Sequence, residues 1–160
     1  MAPRIGVVGM GNLLLRDEGF GVHVVRHLEA RGGLGADVRL VDGGTAGLYL
    51  AALLEGLDPV LVVDAVALDA PPGSIHVFSK ADLRRGLALV RSSCHQAGFL
   101  DALEIMDLRG EAPDRIEFFG VVPADLSPGV ELSPVLAPRV AEVAARVAAR
   151  VEELRGGDGA

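Results

Sequence analysis

One cysteine, no tryptophan, one tyrosine and five phenylalanines leave this chain of 160 residues without several common devices. Cys94 alone can close no internal disulfide and build no thiolate-rich zinc site, so any metal must be held by nitrogen and oxygen. Basic residues are also scarce. Fifteen Lys and Arg stand against 22 Asp and Glu, a net charge of −7, which argues against nucleic acid or an anionic membrane as partner, since both call for basic patches. No apolar run approaches bilayer length. The start Met1-Ala2-Pro3-Arg4 leads into a short apolar run broken by Gly6, Gly9 and Gly11 rather than into the continuous h-region of a signal peptide. A cytoplasmic protein is expected.

What is abundant is aliphatic. Half the residues are hydrophobic and 21 are glycine, which suits Val/Leu/Ile strands covered by Ala-rich helices. The length fits one domain with a real core, here residues 1–155, with a disordered Gly-rich tail over 156–160. Arg4 to Met10 reads as a buried strand and Gly19 to Arg31 as a helix with Phe20, Val24, Val25 and Leu28 on one face. Val38 to Val41 is a second strand closing on the turn Asp42-Gly43-Gly44-Thr45, and a helix follows from about Ala46 to Glu55. The continuous run Pro59 to Val63 fits a central parallel strand that stops at Asp64. An edge strand over Ser74–Ser79, a helix over Gly98–Leu108 and a strand over Ile116–Val122 come next. Ser133 as N-cap and Pro134 at the first helical position open a long final helix striped by Val140, Val143, Val147, Val151 and Leu154. The alternation predicts a three-layer α/β/α sandwich with a mostly parallel, twisted sheet of about five strands, and ligands at the strands' carboxyl ends.

The chemistry concentrates where the first strand meets the first helix. Gly9-x-Gly11 begins like a dinucleotide fingerprint, but Leu14 stands where the third glycine is wanted and Asp42 lies beyond the usual offset for a ribose-binding acid. In its place Leu13-Leu14-Leu15 delivers Asp17 and Glu18 to the mouth of the helix, a costly place for carboxylates without a purpose or a partner. Glu18, Asp64 and His95 would form a two-carboxylate, one-imidazole site suited to zinc or nickel. Helix-end charge, a cap and a satisfied loop histidine are the plainer alternatives. Asp42 could serve as general base or peptide anchor, or simply close an Asx-turn. His23 and His27 sit at i and i+4 without the Glu of H-E-x-x-H and fall on the helix's polar face. His76 reads as exposed on an edge strand, and Asp101, Glu104 and Asp107 as a solvated stripe. Cys94 beside His95 is poorly placed for a thiol–imidazole pair, because neighbours in an extended segment project to opposite sides.

Taken together, Gly9-x-Gly11-Asn12-x-Leu14-x-x-Asp17-Glu18-x-x-Gly21, Asp42-Gly43-Gly44-Thr45-x-Gly47, Asp64-Ala65 and His95-Gln96-x-Gly98 resemble the hydrogenase maturation endopeptidases, as do Gly120-Val121-Val122-Pro123 and Leu132-Ser133-Pro134. The resemblance implies a cytoplasmic endopeptidase that removes a C-terminal extension from the nickel-loaded precursor large subunit of a nickel–iron hydrogenase. It places the family's metal-contacting residues on Glu18, Asp64 and His95 and its turn aspartate on Asp42. The metal is nickel carried by the substrate, or another divalent ion such as zinc. Asp42 would position or deprotonate the attacking water, with Gly43, Gly44 and Thr45 holding the scissile segment. Two other classes stand beside this reading: a nickel-binding assembly chaperone without peptidase activity, and a nucleotide-binding domain.

Overall fold

The computed structural model describes the backbone of residues 4–85 and 94–157, and side chains over 4–85 and 99–157. Five strands form one sheet in the order β2-β1-β3-β5-β4. They are β1 (Ile5–Met10), β2 (Val38–Gly44), β3 (Val60–Ala65), β4 (Ile75–Ser79) and β5 (Ile116–Val121). The first three and β5 run parallel, and β4 is antiparallel at one edge. The helices are α1 (Phe20–Arg31), the short α2 (Leu50–Leu53) and α3 (Lys80–Arg84), α4 (Cys94–Leu108) and α5 (Arg139–Gly157).

Strand alternation sorts the core into two halves. Val8, Met10, Val60, Val62, Ile116 and Phe118 pack with α2 and α4 through Leu50, Phe99, Leu103 and Met106. Ile5, Val7, Leu61, Val63, Phe119 and Val121 pack on the other face against Phe20, Val24, Val25 and Leu28 of α1 and Val143, Val147 and Val151 of α5. The expected three-layer sandwich is thus present. Both faces of the central strands are covered, which is why their sequences run apolar without alternation.

Glycines set how closely α1 approaches the sheet. A Cβ on Gly9 would lie 2.1 Å from the Gly21 carbonyl oxygen, and one on Gly21 would lie 2.0 Å from the Val63 oxygen. Gly11, at φ +136°, passes so near the Glu18 carbonyl that a Cβ would stand 1.8 Å from it. The first helical turn is therefore seated directly over β1 and β3.

Several boundaries differ from expectation for local reasons. The strand β2 continues to Gly44, paired beside Met10 after a register shift, rather than turning at Asp42. Between Ala46 and Glu55 a 3-10 turn, Gly47–Tyr49, precedes the four residues of α2, and Gly47 itself has a positive φ of 54° that no regular helix accepts. Asp64 lies inside β3, not beyond it. The final helix starts at Arg139, not after Ser133. Ser133 instead closes a separate turn, accepting from Leu136 N–H at its hydroxyl and from Ala137 N–H at its carbonyl. Pro138 explains the break, since it has no N–H to continue a helix from Pro134 and disfavours helical geometry at Ala137. At its far end α5 carries on through Gly156 and Gly157.

The close seating of α1 yields a stability prediction. Gly21→Ala should lower unfolding free energy by about 3 kcal/mol or more, because the added methyl meets backbone rather than a yielding side chain. Gly56→Ala has a positive φ but open space around it, so it should cost only about 1 to 2 kcal/mol. Urea midpoints of the two variants measure the difference.

Candidate active site

Three strand ends and the β1–α1 connection converge at the carboxyl edge of the sheet. After Gly11, Asn12 holds the turn by accepting from Leu14 N–H at 2.9 Å. Residues Arg16–Gly19 then form a single 3-10 turn before α1. Its two acids have opposite fates. Asp17 is fully buried and its carboxylate is saturated. Oδ2 accepts from Ala124 N–H and Asp125 N–H, both at 2.9 Å, and from Ser133 Oγ at 2.8 Å, while Oδ1 accepts from Ser133 N–H at 2.8 Å. Glu18, next in line, is half-buried and lines a cleft of ≈ 250 Å³ with Leu15, Ala65, Val66, Ala67, Pro123 and Leu126.

Asp64 is also fully buried, but incompletely satisfied. Its Oδ1 accepts from Ala65 N–H at 2.7 Å, whereas Oδ2 has no hydrogen-bond partner among the described residues. Burial pushes the Asp64 carboxyl well above the usual carboxylate range; the Ala65 N–H opposes that shift and the Glu18 charge adds to it. An ionised carboxylate in such surroundings is held at a cost unless a cation or proton joins it. Oxygen donors of this kind fit a divalent cation, and an added imidazole would suit nickel or zinc. Among the described residues no three His, Cys, Asp or Glu side chains gather around one point. Glu18 and Asp64 are two donors. His95 lies in the first turn of α4, in the helical layer towards which the alternation of Val60, Val62 and Asp64 aims the Asp64 side chain; its own side chain and that of Cys94 are outside the described residues.

Asp42 stands apart from this pair. It is level with Gly9 and hence with Val63, two strand spacings, roughly 10 Å, from the column of Asp64. The same register turns its side chain to the α1 face, where it is exposed and lies 3.7 Å from Arg26 Nη2. Gly43 is buried against Val8 and Leu50, and Thr45 is exposed. Of the two histidines on α1, His27 is exposed as expected. His23 is half-buried with its Nε2 enclosed and without a partner among the described residues, and burial, then Arg26, hold its pKa below the ordinary value. His76 is likewise half-buried, bonded to Ser74 Oγ at 2.9 Å.

With this geometry in view, the sequence profile of hydrogenase maturation proteases matches residues 22–150. The chain belongs to the hydrogenase maturation protease family. It is 37% identical over 153 residues to the hydrogenase expression/formation protein HupD of Rhodobacter capsulatus, covering 95% of this chain and 71% of the relative. It is 34% identical over 151 residues to the hydrogenase 2 maturation protease of Escherichia coli, covering 94% and 92%. The solved structure of the hydrogenase maturating endopeptidase HybD from E. coli superposes with a TM-score of 0.86 at 34% identity, over 94% of this chain and 93% of that one. As a member of this protease family the chain is a peptidase, and the sheet edge bearing Glu18 and Asp64 is the candidate active site of the protease.

The sequence marks Asp17 only as one of two acids at the helix mouth and Ser133 as the N-cap of the last helix. Their contact, across 116 positions, has no local signature. The one available signal was the price of an acidic residue beside three leucines, which demands several donors wherever it is buried.

Asp17→Ala should leave three amides and a hydroxyl without their acceptor and lower stability by roughly 3 to 5 kcal/mol, with Asp17→Asn milder because one carbonyl oxygen remains; chemical denaturation gives both values. Asp64 should behave in the opposite way. Its folded carboxyl holds a proton more tightly than the unfolded one, so above about pH 4 the folded state binds more protons and stability falls as pH rises through the window up to the folded pKa. Asp64→Asn removes that fall. Metal-free Asp64→Asn protein should therefore melt at or above the native temperature at pH 7, with the gap narrowing towards pH 4.

Proposed function

We propose that this protease cleaves the C-terminal extension from the nickel-loaded precursor large subunit of a nickel–iron hydrogenase, using Glu18, Asp64 and His95 to grip the nickel that the precursor already carries. The observation that carries this reading is the buried Oδ2 of Asp64, without a hydrogen-bond partner among the described residues, beside the Glu18 charge. A group kept in that condition gains most from a cation that arrives with the substrate. Such a site tests whether metal loading is complete, because a precursor without nickel offers nothing to offset the desolvated carboxylate. The relatives' names support the hydrogenase as the source of the substrate.

Bond cleavage falls to a second point on the same edge. Asp42 lies about three extended residues' span from Asp64, on the outermost parallel strand, where a substrate segment crossing the edge would pass. Its exposed pairing with Arg26 is of the kind worth little in water, leaving the carboxylate able to orient or deprotonate the attacking water. Gly43, Gly44 and Thr45 hold the segment alongside. Reading the metal state and cutting the chain are thereby assigned to different residues. An assembly chaperone using the same ligands is distinguished by binding the precursor without shortening it.

Mass spectrometry of the precursor before and after incubation, with and without nickel, tests the proposal. Native protein should produce a shortened subunit only from nickel-loaded precursor. Glu18→Gln, Asp64→Asn and His95→Ala should each stay folded and lose processing by at least about hundredfold, together with nickel-dependent precursor binding. Asp42→Asn should lose cleavage to a similar extent, in line with removal of a general base, yet keep binding. Full processing by folded His95→Ala protein would exclude the nickel-gripping role.

A further inference from the structure

Two loops beside the cleft expose an unusual amount of apolar surface. Leu14 is 66% exposed, Leu126 49% and Val130 67%. They belong to Leu13-Leu14-Leu15 and Leu126-Ser127-Pro128-Gly129-Val130, neither of which contains a charged residue in a chain of net charge −7. The loops are fastened together. Leu15 bridges Gly129, the Gly129 N–H donates to Leu14 O at 2.8 Å, and the Arg16 N–H donates to Gly129 O at 3.0 Å. A Cβ on Gly129 would lie 2.8 Å from the Arg16 guanidinium carbon, which shows that the Arg16 side chain packs against the clip. Leu15 and Leu126 also line the cleft that holds Glu18, together with Ala65, Val66 and Ala67.

Isolated exposed leucines need no explanation, but a rigid lip of them running into a cleft marks a binding surface. On a protease the occupant of such a surface is constrained: an extended stretch of substrate must lie on either side of the bond to be cut, and here it must also bring its metal beside Glu18. Resting on the function proposed above, we infer that this lip seats an uncharged, apolar stretch of the precursor large subunit next to its nickel-bearing residues. The lip supplies affinity and substrate choice, while Glu18 and Asp64 read the metal. Continuity between lip and cleft selects this occupant over a second copy of the chain, and the net charge of −7, with Arg16 beside the lip facing Asp125 at 3.7 Å, selects it over an anionic membrane.

The test compares native protein, the triple variant Leu14→Ser/Leu126→Ser/Val130→Ser, and Leu108→Ser, which alters an 83%-exposed leucine at the far end of α4. With nickel-loaded precursor, the triple variant should raise KM at least about tenfold with kcat within about twofold, the pattern of lost uniform binding; Leu108→Ser should change neither. Matching melting curves confirm folding. A photocrosslinking amino acid at position 130 should join to the precursor whether or not cleavage follows, so the lip can be judged separately from the peptidase reaction. Native protein that crosslinks but never cleaves would defeat the proposed function and leave the lip standing. Normal cleavage by the native protein with an unchanged KM in the triple variant, no crosslink to precursor at position 130, or a native dimer that the triple variant abolishes, would overturn the lip as a substrate surface.

Discussion

The buried carboxylate of Asp17 is the contact on which the carboxyl edge depends. Transferring a charged group out of water costs several kcal/mol even after relaxation, and four donors from two distant segments offset it. Each such charge-assisted bond contributes about 1.5 to 3 kcal/mol. The result is a fixed distance between the β1–α1 connection and the loop that follows β5. That anchor acts together with the backbone bonds from Arg16 N–H to Gly129 O, from Gly129 N–H to Leu14 O and from Asp17 N–H to Asp125 O, and between them they hold residues 123–132 over the sheet and with them the cleft wall made by Pro123 and Leu126. Because Glu18 is covalently next to Asp17, its position is set by the same bonds.

Glycine supplies the complementary constraint from below. A phosphate-binding loop uses its glycines to let backbone approach a ligand, whereas here Gly9, Gly11 and Gly21 let backbone approach backbone. The missing third glycine at Leu14 is then no defect. Leu14 faces solvent on a loop that crosses to Gly129, and a glycine there would loosen a segment whose rigidity places two acids.

Much of this was legible in the sequence, for identifiable reasons. Buried parallel strands read as apolar runs, α1 has helical spacing, and Glu18 and Asp64 were expected at one edge of the sheet, where the structure has Glu18 in the turn before α1 and Asp64 in the last residues of β3. Other features depended on information no local window contains. Whether Asp42 shares a face with Asp64 turns on the parity of strand register, and the pairing Asp42–Gly9–Val63 puts it on the opposite face. The start of α5 depended on Pro138 outweighing the capping signal at Ser133. The partner of Asp17 lay more than a hundred residues away. The position of the His95 side chain lies outside the described residues.

Asp17 and Glu18 are neighbours, and Asp64 lies near the end of β3, yet the three carboxyls occupy three distinct states: saturated, half-solvated, and buried with an oxygen that has no partner among the described residues. That gradient separates structure from function more clearly than residue type could. A fold that can provide four donors to Asp17 could have provided one more to Asp64, or replaced it with an apolar residue at lower energetic cost. A desolvated carboxylate left open beside a second one is maintained against stability, and such positions are those where an external group completes the set. Under the proposed function the completing group would arrive with the substrate, and the incompleteness of Asp64 would then be the means by which metal loading is sensed before a bond is cut.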